Sequence, residues 1–479
     1  HNPHVNQEIV WSLEGADGTY VAERRFAESN SGGFSRTTGL LFDLPPGGYN
    51  LWLRDLAHEG EDYEFRLLDV TDANLTDVTA LSLDTLIDGT LSSARETHVY
   101  TFSGASGDLM DFDSQTASAH ADARWRLIDP HGTIVFGQSP TVDQTDLRLI
   151  ESGTYTLLIE GGLTDATTSW NYSFQVSSSS PTAIAAGQTV SDSLSAGDVD
   201  EYLLTLSGAA PVYFDALTDE ADFAWTLKTL SGTTVVTQRA LTASDASGVA
   251  DANAVLNLAA DTYVLAVESL NSAAGDYSFV LLDVVQTATS LTLGTTTGGT
   301  LDPANGSDVY SFEALSGDEF TITPQSYAGP AGGRWRLVDP AGTVVQSDAL
   351  SGSSTTVTLE ASGSYVLLIE GAVSDTASTQ AYSFSTGISS PTVLTLGATT
   401  SDSLAAGETD RYLFTLDAAS QLYFDSLTNE ADFAWTLKTL SGTTVVSQRA
   451  LTASDAAGVA DANAVLSLSA DTYILTVES

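Results

Sequence analysis

Residues Tyr213 to Ser269 return almost letter for letter at Tyr423 to Ser479, an offset of 210. The differences are few and mild: Ser426 stands for Ala216, Asn429 for Asp219 and Ile474 for Val264. Self-similarity at a fixed period decides architecture before any local signal does, because each copy is one structural unit and the copies stack. Such a chain is rarely a single-site enzyme.

The rest of the chain obeys related offsets. Trp11 to Val70 aligns without a gap on Trp225 to Val284, 214 residues later. Thr90 to Phe174 aligns on Thr300 to Phe384 at 210, with Ala123–Val135 (ARWRLIDPHGTIV) matching Gly333–Val345 (GRWRLVDPAGTVV). The two kinds of unit, called type A and type B, are themselves related. Each carries an Asp-x-Tyr element such as Asp200–Tyr202 or Asp308–Tyr310, then a central Trp, a Gly-Thr turn, a Tyr-x-Leu strand ending in Glu and a closing Tyr-Ser-Phe strand.

Period-2 alternation in Glu201–Leu206, Thr262–Glu268 and Asp276–Leu281 reads as half-buried strands. Asp129-Pro130-His131-Gly132 and Asp339-Pro340-Ala341-Gly342 have the composition of type I turns. About eight short strands per hundred residues, separated by Gly, Ser and Asp, predict an antiparallel sandwich or jelly roll. The expected fold is therefore all-β: a tandem array of antiparallel β-sandwich, jelly-roll-like domains, types A and B alternating in a 210-residue two-domain period. The expected domains are a partial type B sandwich at 1–70 without its front strands, type A at 78–178, type B at 181–285, type A at 288–388, and type B at 391–479 without its last strand. The Ser177–Pro181 and Ser389–Pro391 stretches read as short linkers. Trp125, Trp225, Trp335 and Trp435 fall in mid-strand and read as core plugs.

The order of these anchors, Asp-x-Tyr-x-Phe, Trp-x-Leu-x-Asp-Pro-x-Gly-Thr, Gly-x-Tyr-x-Leu-x-Ile/Val-Glu and Tyr-x-Phe, resembles the bacterial pre-peptidase C-terminal domain across essentially the whole chain. That resemblance implies small β-sandwiches in secreted or cell-surface proteins, with a binding or spacer role and sometimes calcium. No peptidase portion accompanies the copies.

Charge narrows the partners. Sixty-two Asp and Glu face 16 Lys and Arg, for a net charge of −46, and the only lysines are the paired copies Lys228 and Lys438. Nucleic acid and anionic membrane surfaces need cations this chain lacks. No apolar run is long enough to span a membrane. Acidity on this scale suits a saline or calcium-rich environment, where charges are screened beyond about 8 Å. With no cysteine, neither a disulfide nor a thiol contributes.

Catalysis finds little to work with. The six histidines all lie at or before position 131, and His98 and His131 are replaced by Asp308 and Ala341 in the next copy; a catalytic base is not expected. The best chemical candidates are acidic. Asp215, Asp219, Glu220 and Asp222 read as a loop cluster whose copy keeps Asp425, Asn429, Glu430 and Asp432, and oxygen ligands of this kind suit calcium. Asp245 and Asp251, with Asp455 and Asp461, form a second acidic loop.

The expected function is a non-enzymatic extracellular or cell-surface structural or adhesive protein, bacterial or archaeal, forming a fibre, stalk or surface layer. The alternatives are an array of modules binding polysaccharide or cell-surface protein, where repetition supplies avidity, or the accessory tail of a secreted hydrolase. The incomplete first and last units lead to a further expectation. Either the repeat array continues, or another copy completes the end domains by strand complementation.

Overall fold

A computed structural model gives the structure of the chain, and residues 9–26, 29, 42, 44–57, 63–70, 78–163, 165, 168–243, 254–453 and 465–479 are described. Apart from isolated short turns of 3-10 helix, the regular elements are strands, and they assemble as tandem sandwiches. No helix among the described residues is long and apolar enough to cross a membrane.

Each of the three middle spans holds nine strands in two sheets of five and four. In the span 181–285 the strand Asp261–Ser269 lies at the centre of the larger sheet, between Val199–Leu206 and Phe223–Thr229. The strand Gly275–Asp283, which carries Tyr-Ser-Phe, is central in the smaller sheet and pairs with both Thr189–Leu194 and Ala210–Ala216. Trp225, on Phe223–Thr229, is fully buried between the sheets and stacks on Phe214 at 4.2 Å; Trp125, Trp335 and Trp435 are equally buried. Each such indole contributes about 4–6 kcal/mol of transfer free energy.

The repeated motifs now have physical reasons. The acidic residue of the Asp-x-Tyr element accepts a hydrogen bond from the tyrosine of the closing strand, tying one sheet to the other: Tyr277 to Asp200 at 2.7 Å and Tyr382 to Asp308 at 2.6 Å. His98 takes that place against Tyr172 at 2.7 Å, so its replacement by Asp308 preserves a contact. Tyr155, Tyr263, Tyr365 and Tyr473 each donate to the carbonyl four residues earlier, fixing the turn into the same central strand in four copies. In the turns, Gly132 and Gly342 donate to the carbonyls of Asp129 and Asp339, and each Asp carboxylate accepts two further backbone N–H groups.

Two expectations need correction. The sandwiches are not wholly antiparallel: the short first strands pair in parallel, Val78 with Val99, Thr289 with Tyr310 and Thr392 with Tyr412. In the complete domains the next strand crosses to the other sheet before the chain returns, which supplies the crossover a parallel pair requires. The serine run is also not a linker. Ser177–Ser179 continue the strand Trp170–Ser179 and pair with Asp111, Met110 and Leu109, because the ladder satisfies their backbone groups.

The end spans are smaller. The strands Ile9–Gly15, Gly18–Arg25 and Asn50–Asp55 form a three-stranded sheet. Tyr63, Phe65 and Leu67, counterparts of the buried Tyr277, Phe279 and Leu281, are not in a strand, and Tyr63 is 56% exposed against 1% for Tyr277. Among the described residues of 391–479 the smaller sheet holds Ser420–Tyr423 and Val465–Leu468. Tyr423 is 51% exposed where Tyr213 is 0%.

By backbone proximity the chain divides into two compact units. One holds residues His1–Ala183 with Glu201–Leu203 and Lys228–Thr233, and the other holds the remainder.

Candidate functional site

The predicted acidic loop does not assemble as read. Asp215 is not in a loop. It lies on the strand Ala210–Ala216, where strict alternation sends Phe214 into the core and turns Tyr213 and Asp215 to the opposite face of the sheet. There Asp215 is buried and its carboxylate accepts from Ser307 Oγ at 3.0 Å. Asp219 and Asp222 are exposed in the following loop, with Glu220 half-buried; Asp222 accepts from Asn271 Nδ2 at 3.3 Å. In the copy, Asp425, Asn429, Glu430 and Asp432 are all exposed. Among the described residues no three His, Cys, Asp or Glu side chains come together as a metal group. Asp245, Asp251, Asp455 and Asp461 lie outside the described residues.

What the sequence reading missed is where polar and apolar side chains converge: at the seams between consecutive domains. Two kinds alternate. Where type B precedes type A the seam is apolar. Tyr213, Val255 and Val284 pack with Val309, Val338, Val366 and Leu368. In the first unit Leu68 and Val70 pack with Val99, Ile128 and Leu158, the counterparts of Val309, Val338 and Leu368. Asn257 Nδ2 donates to the carbonyls of Ala341 and Gly342, so the Asp-Pro-x-Gly turn of type A rests on the type B domain.

This seam contains a strongly perturbed carboxyl. Burial pushes the Asp215 carboxyl up to about 8, and the nearby Glu370 and Asp308 carboxylates add to the shift while the Ser307 hydrogen bonds oppose it. Beside it, Arg336 and Glu370 form a fully buried ion pair at 2.6 Å, matched in the first type A domain by Arg126 and Glu160 at 2.7 Å.

Where type A precedes type B the seam is built on a glycine. Gly317, at φ +93°, faces Leu413 so closely that a Cβ would lie 2.4 Å from the leucine Cδ1; Gly107, at φ +100°, faces Leu203 in the same way. Beside each glycine an arginine is paired. Arg411 reaches Glu319 at 3.1 Å and donates to Gly317 O, and Arg148 contacts both oxygens of Glu201 at 2.7 and 2.8 Å and donates to Gly107 O. Gly317→Ala is expected to destabilise the 288–388 domain by about 1–2 kcal/mol, chiefly through the left-handed φ. Calorimetry on the full chain checks this, and adding Leu413→Ala should not restore the loss.

Of the described histidines, His120 contacts Asp122 and His98 contacts Tyr172; none stands beside a serine hydroxyl in a nucleophile–base pair. Trp52 is the exposed tryptophan, 59% accessible, in a groove of about 390 Å³ with Glu14, Glu23 and Arg54. Arg54 pairs with Glu23, and the Trp52 indole donates to Glu14.

No family model matches the chain, and no curated protein matches it. Solved structures give distant similarities. The periplasmic g-type lysozyme inhibitor PliG of Aeromonas hydrophila is 13% identical over 22% of this chain and 96% of its own, with a TM-score of 0.19. The CUB1-EGF-CUB2 domains of rat MASP-1 are 9% identical over 43% of this chain and 99% of theirs, at 0.15. An archaeal-virus structure described as a triple jelly-roll fold and turret assembly is 8% identical over 71% of this chain and 85% of its own, at 0.14. Scores this low carry no argument about what the chain does.

Proposed function

We propose that the chain is a non-enzymatic structural array of the extracellular or cell-surface kind, of the pre-peptidase C-terminal type its motifs resemble, whose role is to hold β-sandwich domains in a fixed succession. The observation that carries this reading is the pair of alternating seams. Repetition here extends to the joints: an apolar joint with the same three type A residues occurs twice, and so does a glycine–leucine–arginine joint. Domains strung together only to present separate binding sites have no need of such joints. The central tryptophans support the reading too, since all four are consumed by the cores. A net charge of −46 keeps neighbouring arrays hydrated and apart. The test is immunogold labelling of intact, unpermeabilised producing cells with an antibody raised against this chain. Label on surface fibres or a surface layer is expected; label confined to the cell interior would contradict the proposal.

A further inference from the structure

The two glycine seams share one geometry but have opposite charge polarity. In the first, the cation is Arg148 of type A and the anion is Glu201 of type B. In the second, the anion is Glu319 of type A and the cation is Arg411 of type B. At the 210 offset Glu201 corresponds to Arg411, Arg148 to Thr358, and Leu109 to Glu319. Three positions have therefore changed together, two on one side of the seam and one on the other. The guanidinium nevertheless ends in the same place: Arg148 donates to Gly107 O and Arg411 to Gly317 O, equivalent carbonyls reached from opposite sides. Each pair is largely covered, with side-chain exposures of 19% and 25% for the first and 13% and 32% for the second. Leu203 and Leu413 each bring Cδ1 against their glycine, 2.5 and 2.4 Å from where a Cβ would lie.

We infer that these pairs are a pairing code that matches each type B domain to its own type A neighbour. The two type B copies are close relatives, with 57 residues repeating with a handful of changes, and the glycine–leucine contact is common to both seams, which leaves charge as the clear difference between the joints. Repeat proteins of this kind misassemble by docking a domain on the wrong copy, within one chain or between chains. Crossed docking here meets like charges. The first type A domain against the second type B domain would set Arg148 beside Arg411 with no carboxylate at position 109. The second type A domain against the first type B domain would set Glu319 beside Glu201 with Thr358 where the arginine should stand. Juxtaposed like charges at a partly desolvated contact discriminate strongly, and rejecting the wrong partner is as effective as favouring the right one. The partner that this surface selects is thus one particular copy of a nearly identical domain.

The test uses the full chain. Because it lacks cysteine, one cysteine introduced on each side of a seam takes a spin label specifically, and the distance distribution reports the docked fraction. The double variant Glu201→Arg, Arg411→Glu keeps the composition and net charge but places like charges at both seams. We expect its undocked fraction to rise about tenfold at each, together with concentration-dependent dimers as matched charges find each other on non-adjacent domains. Adding Arg148→Glu and Glu319→Arg should restore single narrow distances and the monomer. The neutral variant Glu201→Gln, Arg411→Gln, which removes attraction without adding repulsion, should fall between. Docked seams in the double variant, or failure of the fourfold variant to restore docking while the double variant loses it, would overturn the proposal.

Discussion

Replacing Arg336 with methionine is expected to destabilise the 288–388 domain by about 3–5 kcal/mol. Arg336 and Glu370 are fully buried and meet at 2.6 Å. Removing the cation leaves Glu370 as a carboxylate in the interior, on the strand facing Ser307 and Arg334, and near Asp215, whose carboxyl already feels it. The cost is thus chiefly that of the stranded anion rather than the worth of the pair. For that reason the double variant Arg336→Met, Glu370→Leu should recover most of the loss. Scanning calorimetry reads both results, and the counterpart Arg126→Met should shift the 78–178 transition instead. Equal losses in the single and double variants would contradict the account.

The second large effect is a pH dependence. In the unfolded chain Asp215 has an ordinary carboxyl pKa near 3.8; in the folded chain it is raised to about 8. A folded pKa above the unfolded one means that the folded state holds its proton while the unfolded state releases it. Stability from this group is therefore full below pH 3.8, falls as pH rises from 3.8 to 8, and is constant above that. Asp215→Asn, which keeps an acceptor for Ser307 Oγ, removes the slope. At pH 7 it should stabilise the region spanning 181–388 by on the order of 3 kcal/mol, and at pH 4 by almost nothing. Urea midpoints at several pH values give the difference between variant and parent, in which the background titration of the other carboxylates cancels. Asp425→Asn, at the exposed counterpart position, controls for the loss of one carboxylate. Parallel profiles for Asp215→Asn and the parent would contradict the assignment.

These two residues show where sequence reading succeeds and where it stops. The all-β class, the central tryptophans, the Asp-Pro-x-Gly turns and the closing Tyr-Ser-Phe strand are legible because each is a local pattern repeated at a fixed offset, set by alternation and turn chemistry. Asp215 reads as a loop residue from its acidic neighbours, whereas its place in a strand and its burial depend on a domain that begins some seventy residues later and covers the outer face of that strand. Composition alone makes Ser177–Ser179 look like a spacer; only the partner strand Leu109–Ser114 makes it a ladder. The seam charges were present in the sequence as a compensated change, Glu201 to Arg411 with Leu109 to Glu319 and Arg148 to Thr358. They could have been found by asking which differences between the copies reverse charge rather than by asking which residues resemble a ligand set.

The central claim is that consecutive domains are joined by built seams rather than strung on free linkers. Backbone ¹⁵N relaxation measures this most directly, since it reports how each domain tumbles. For 181–285, 288–388 and 391–479 the account predicts one shared correlation time, several times longer than that of an isolated domain of about one hundred residues. Separate, shorter correlation times, each appropriate to an isolated domain of about one hundred residues, would contradict it.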